Sequence, residues 1–369
     1  MNNITMIARD TSFLTGTPEY DWKNISRVII KRNSEDVHKR NILNDKCNIV
    51  FKIAYTLWVL RGSNNLPELS YYADHMEEYT DNFYELRGAY GPRMLFWVGA
   101  DQLQESINLN MNIDSEEDFT KPDGVNQLER VYLDLQDNNI RSSSIVVMDP
   151  AIDFDPTNDV PDLISVTLHK VEGNALNLTM NYSSFNFEGN HLNDIYLMEF
   201  ILDNMSSWLG MNSGEIIINS TEFINSCIEN TKTFLSEADL APEEKCENSP
   251  EAFWENIHKL FFLDRHIRNM LSKKSFMYED ISVPTMADSL ERKVIDGISN
   301  EYLKNCGYAL LVGSIKRYGM NKEGFEKYLL NLLLKMSGPV KRELCEWLLY
   351  VGDNIHTVYE ECQECINAE

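Results

Sequence analysis

The chain has 369 residues, 43% of them hydrophobic, enough to pack one large domain or two ordinary ones. Its formal net charge of −25 excludes sequence-independent binding to DNA or RNA, which draws its affinity from Lys and Arg on phosphates. No apolar run reaches bilayer length and the start, "MNNITMIARDTSF", lacks a basic-then-apolar secretory order, so the sequence predicts a soluble, cytoplasmic protein with no membrane partner.

In chain order, residues 46–61 ("KCNIVFKIAYTLWVLR") and 125–138 ("VNQLERVYLDLQDN") carry apolar side chains at helical spacing, the second with Leu128, Val131, Tyr132 and Leu135 on one face. "RSSSIVVMDP" reads as a short strand ended by Asp149-Pro150. "DVPDLISVTLHKVEG" (159–173) reads as a hairpin arm in which Ile164, Val166 and Leu168 alternate with Ser165, Thr167 and His169 before a Gly173-Asn174 turn. Leu176, Leu178, Met180 and Tyr182 alternate along the returning arm. "LNDIYLMEFILDNMSSWLG" predicts a buried helix closed by Gly210, and "GEIIINSTEF" a further strand.

Residues 236–250 are acidic and contain two prolines, which suits a linker between a domain at 1–235 and a helical extension at 251–369. Ser249-Pro250-Glu251 predicts a capped helix start, followed by Phe253, Trp254, Ile257, Leu260 and Phe261 at helical spacing. Another helix is predicted to stop at Gly338-Pro339. The seven cysteines make no dense disulfide framework, so reduced thiols are expected. Cys362-Gln-Glu-Cys365 lies near His356, but no second cysteine pair at finger-like spacing accompanies it, and no metal is expected.

Taken together, "LWVLRGSNN" (57–65), "RGAYGPRM" (87–94), "NQLERVYLDLQDNNIRSSSIVVMDP" (126–150), "PDLISVTLHKVEG" (161–173) and "GEIIINS" (214–220) resemble, in order and spacing, segments of the thymidylate synthase family, including its nucleotide hydroxymethylase branch. The resemblance covers roughly residues 45–226. It implies an α+β fold, a thymidylate synthase-like mixed sheet with packed helices, to which the chain adds a C-terminal all-helical extension.

That family's reaction begins with a cysteine thiolate adding to C6 of a pyrimidine, so that C5 can accept a one-carbon unit from a reduced folate. The resemblance puts Asp162 at the cysteine, and a solvated carboxylate is a poor attacker of a ring carbon. It puts Tyr55 at a catalytic glutamate, Tyr182 at a phosphate-binding arginine and Phe185 at an aspartate. A histidine and a tyrosine that hold the sugar fall near Ile224 and Ser226. Groups that keep their type are Arg141, donated across the family's dimer interface to phosphate, Asn193, which reads the pyrimidine edge, Ser183, and Arg93.

Each candidate also has a plain structural explanation. Asp162 can be a turn residue, Asn193 a helix N-cap, Arg141 a surface ion pair, and Tyr55, Tyr182 and Phe185 core. The sequence therefore supports a catalytically silent binding or assembly subunit that needs no cofactor, with weak affinity for a pyrimidine nucleotide or nucleoside. The alternative is an enzyme acting on pyrimidine nucleotides through Asp162, for which a reduced folate would be the cofactor. A homodimer paired back to back through its sheets, and a protein partner on the C-terminal helices, complete the expectations.

Overall fold

The computed structural model describes residues 4–8, 13–14, 25–30, 48–73, 84–97, 124–153, 159–186, 191–224, 249–274, 283–319, 325–350 and 356–367. The chain divides into two units, Met1–Asp36 with Trp58–Leu235, and Val37–Leu57 with Ser236–Glu369. Of the linker at 236–250, only Ser249 and Pro250 are among the described residues.

The first unit is α+β. Its strands are β1 (Ile4–Ala8), β2 (Phe13–Leu14), β3 (Ile25–Ile30), β4 (Ser142–Val146), β5 (Leu163–Val171), β6 (Ala175–Tyr182) and β8 (Asn212–Ser220), with β7 (Phe185–Asn186) and β9 (Phe223–Ile224) forming a small parallel pair. The seven longer-range partners make one mixed sheet in the order β2-β1-β3-β8-β6-β5-β4. Every neighbouring pair is antiparallel except β6 and β8. A parallel pair needs a crossover, and helix α6 (His191–Trp208) supplies it, packing on both strands. Leu176, Leu178, Met180, Tyr182, Ile216 and Ile218 form the buried sheet face. Gly210 ends the helix at φ 64, as its C′ position requires.

The β5–β6 hairpin turns through Gly173 at φ 87 and Asn174 at φ 57, consecutive left-handed residues of the kind that matches strand twist. One alternation differs from expectation. Leu163, not Ile164, is buried with Val166 and Leu168, because the ladder shifts register between Leu163 and Ser165 and one extra residue reverses the side-chain parity. The opposite sheet face is polar: Asn181 Nδ2 donates to Ser165 Oγ at 3.0 Å, Asn219 Nδ2 to Asn181 Oδ1 at 2.9 Å, and Arg27 Nε to Asn219 Oδ1 at 2.8 Å.

Helices α1 (Ile49–Leu60), α2 (Leu66–Ser70), α3 (Tyr90–Leu95), α4 (Gln127–Gln136) and α5 (Pro150–Asp153) precede or interleave with the hairpin. Asn126 caps α4 by accepting the Glu129 N–H at 3.0 Å. The second unit contains α7 (Pro250–Lys274), α8 (Val283–Lys293), α9 (Glu301–Gly319), α10 (Phe325–Lys335), α11 (Gly338–Tyr350) and α12 (His356–Asn367). Ser249 Oγ accepts the Ala252 N–H at 3.2 Å, fixing the start of α7 as the sequence predicts. Among the described residues no helix is long and apolar enough to cross a membrane.

Residues 37–57 cluster with the second unit, whereas the sequence keeps them in a domain ending at 235. The cause lies in α1, where Ile49, Val50, Phe51, Ile53, Ala54 and Tyr55 are all buried, and so are Lys52 and Thr56, so no face is left exposed. A Cβ on Gly313 of α9 would come within 2.5 Å of the Val50 side chain, and glycine is what lets the two helices approach.

Candidate functional site

The site forms where the start of β5, the end of β6, β7 and the first turn of α6 meet in the first unit. Its assembly begins with Asp159, 5% exposed, whose carboxylate accepts the N–H groups of Arg87 at 2.6 Å and Gly88 at 2.9 Å. A Cβ on Gly88 would lie 3.0 Å from the Pro161 nitrogen, so glycine lets the 87–90 turn sit against the chain entering β5. That docking brings Tyr90 toward α6. Its hydroxyl and that of Tyr182 both donate to Asp194 Oδ2, each at 3.1 Å. Asp194 is 1% exposed. Burial, and then the Asp194 charge, push the Tyr90 phenol well above the usual tyrosine range.

Asp162 lies at the mouth of this network, its side chain 48% exposed. Ser183 closes on it twice, with its N–H on the Asp162 carbonyl at 2.9 Å and its hydroxyl on Asp162 Oδ1 at 3.0 Å. His191 Nε2 meets Asp162 Oδ2 at 3.2 Å, while His191 Nδ1 accepts the Asn186 N–H at 2.7 Å. An accepting nitrogen carries no proton, so the neutral ring holds its hydrogen on Nε2 and donates it to Asp162. The imidazole is wedged 5.1 Å from the rings of both Tyr182 and Phe185.

Asn193 is 7% exposed and sits inside the first turn of α6, not at its N-cap. Its amide makes no hydrogen bond among the described residues. Asp162, Ser183, Tyr182 and Phe185 are thus brought together around His191, and Asn193 stands two residues further along α6. Tyr182 and Phe185 are 2% and 0% exposed and pack edge to face at 5.0 Å, so neither offers a free face for a base to stack on.

The remaining candidates are elsewhere. Arg93, expected to contact substrate, is 0% exposed and is bound by Asp153 at 2.6 and 2.8 Å and by the Val147 carbonyl at 2.8 Å. It staples α3 to the segment after β4, and its charge is spent there. Hydrogen bonds from Arg93 hold the Asp153 carboxyl below its usual value, although burial opposes this. Arg141 is exposed, its carbonyl paired with the Lys170 N–H at 2.8 Å. Lys170 stands eight residues along β5 from Asp162, about 26 Å of extended strand, so Arg141 cannot serve the cleft of its own chain. Tyr55 belongs to the second unit, its ring 6.3 Å from Phe51. Ile224 pairs with Asn186 in the small sheet, and Ser226 is outside the described residues.

Sequence reasoning missed Asp194 and Asp159. An acid in the first helical turn reads as a partner of the helix dipole, and an acid before Val-Pro as a turn residue, so neither advertised a buried role. The described cysteines, Cys306, Cys345, Cys362 and Cys365, all fall in the second unit, so none of them replaces Asp162 within the first.

No protein family model matches the chain. A stretch of 130 residues, 34% of this chain, is 29% identical to the deoxyuridylate hydroxymethyltransferase of Delftia phage PhiW-14. The chain is thymidylate synthase-like. The match spans 29% of that relative's length. Thermostable thymidylate synthase A from Bacillus subtilis is similar in structure at a TM-score of 0.42 and 14% identity, over 59% of this chain and 72% of that one. In this thymidylate synthase-like chain Asp162 is the half-exposed carboxylate of the site, while Asp194 is buried beneath the hydroxyls of Tyr90 and Tyr182. Neither Arg93 nor Arg141 is placed to offset the carboxylate charge.

Proposed function

We propose that the chain is a catalytically silent thymidylate synthase-like protein, a binding or assembly subunit whose cleft takes a pyrimidine nucleoside in preference to its monophosphate. The observation that carries this is the state of Asp162. Its two oxygens are held by Ser183 and His191, so it acts as a brace between β5, β6 and α6. A carboxylate engaged at both oxygens is a poor nucleophile toward a ring carbon. The preference for a nucleoside follows from charge: a phosphate would approach the half-exposed Asp162 where the resemblance expects an arginine and the chain has Tyr182. Asn193 supplies the amide that reads a ring N–H and carbonyl together.

A second reading has one observation in its favour. The Asp162–His191 hydrogen bond, with the imidazole tautomer fixed by Asn186, is an arrangement that can hold a proton acceptor in place, so Asp162 would serve as a general base in an enzyme acting on pyrimidine nucleotides. Turnover of deoxyuridylate with a reduced one-carbon folate separates the two. The silent subunit gives none, and neither does Asp162→Cys, because groups that act as a unit are not restored singly. Turnover that is lost in Asp162→Asn establishes the enzyme instead.

We further propose that two copies pair through the polar sheet face, which would bring Arg141 of each to the other, and that the C-terminal helices bind a protein partner.

A further inference from the structure

Cys345 lies on α11, and Cys362 and Cys365 lie three residues apart on α12. The two helices pack together, and Lys341 Nζ, one turn before Cys345, reaches Glu361 Oε1, next to Cys362, at 2.8 Å, which fixes the level at which they meet. That packing sets Cys345 against the turn of α12 that carries the other two thiols, and both of them push the Cys345 thiol up. All three are free thiols; Cys345 and Cys362 are 0% exposed and Cys365 is partly exposed. No group of His, Cys, Asp and Glu among the described residues is arranged to hold a metal ion.

We infer that this cluster is a peroxide-responsive disulfide site, in which Cys365 is oxidised first and Cys345 closes a bond between α11 and α12. Accessibility selects Cys365 as the first to react, since it alone of the three is partly exposed. Geometry selects Cys345 as the second. Helical residues three apart hold their Cβ atoms about 5–6 Å from each other, whereas a disulfide needs about 3.5–4.5 Å, so a Cys362–Cys365 bond would unwind α12. The thiols of Cys362 and Cys365, and then burial, push the Cys345 thiol up, so it stays protonated until a partner forms beside it.

In the first step the Cys365 sulfur attacks hydrogen peroxide; an S–O bond forms, the O–O bond breaks, and the departing hydroxide leaves as water with the thiol's proton. In the second the Cys345 sulfur attacks the sulfenic sulfur; the S–S bond forms, the S–O bond breaks, and the hydroxyl leaves as water with the Cys345 proton. Two thiols give up two electrons, which reduce one peroxide to two waters.

The test uses the full chain, treated with hydrogen peroxide, alkylated and cut after glutamate. Cleavage after Glu343, Glu346, Glu361 and Glu364 puts the three cysteines on separate peptides. The expected product is the Cys345 peptide linked to the Cys365 peptide and released by dithiothreitol. Cys362→Ser keeps the link, and Cys365→Ser lowers its rate of formation at least tenfold. A Cys362–Cys365 link, or Cys365 sulfinic acid with no link, overturns the inference.

Discussion

His191 Nε2 lies 3.2 Å from Asp162 Oδ2 while the other ring nitrogen accepts the Asn186 N–H at 2.7 Å. The imidazole therefore bridges the residue before β5 to the end of β7, and its ring fills the space beside Tyr182 and Phe185. His191→Ala removes the hydrogen bonds and leaves a gap against two aromatic rings. We expect a loss of about 2–3 kcal/mol, read as a lower urea midpoint at unchanged m-value.

The buried Asp194 carboxylate depends on the hydroxyls of Tyr90 and Tyr182. Tyr182→Phe is expected to cost about 1.5–3 kcal/mol, the range for a hydrogen bond to a charged group. Tyr90 gives a further, pH-dependent signature. Its folded pKa lies above the unfolded value, so the folded protein keeps a proton that the unfolded chain releases above about pH 10. Its contribution is complete below that pH and falls as the pH rises further, with a limiting slope of about 1.4 kcal/mol per pH unit. Tyr90→Phe should remove that share of the alkaline loss, measured as unfolding free energy between pH 9 and about pH 11.

Local patterns carried the hairpin well, because Gly173-Asn174 and the alternation of Leu176, Leu178, Met180 and Tyr182 depend only on neighbours in sequence. They failed at Ile164, where the register shift is a property of the pair of strands. The candidate site was legible as far as Asp162 and Ser183, which do meet. Arg93 was not, since its partner Asp153 is sixty residues away and nothing local marks the pairing. The same holds for Tyr55, whose helix α1 clusters with residues beyond 236, and for Cys345, whose nearness to Cys362 and Cys365 depends on how α11 and α12 pack.

Breaking the Arg93–Asp153 pair should affect stability and leave binding alone. Arg93→Met strands a buried carboxylate, which typically costs about 3–5 kcal/mol. In the parent, the depressed Asp153 pKa contributes stability that is present above about pH 4 and is lost as the pH falls through the folded value. The variant should lose that part of the acid transition in a pH-dependent melt. Ligand affinity of the folded fraction should change less than about twofold, roughly 0.4 kcal/mol.

The proposed pairing of two copies through the polar sheet face is addressed by sedimentation at micromolar concentration. The parent is expected to run as a dimer. Thr179→Arg, on that face of β6, buries an unmatched charge at the interface and should weaken association by on the order of a hundredfold, or about 3 kcal/mol. A monomeric parent removes both the dimer and the role of Arg141 across it.

The most direct measurement is titration calorimetry of the purified protein with deoxyuridine and with deoxyuridylate, on the parent and on Asn193→Ala. A site with the exposed Asp162 carboxylate and no arginine beside it is expected to bind the nucleoside at least as tightly as the monophosphate. Asn193→Ala should weaken the nucleoside by about tenfold, one to two hydrogen bonds. Submicromolar affinity for deoxyuridylate that exceeds that for deoxyuridine, or nucleoside binding indifferent to Asn193→Ala, would contradict the account.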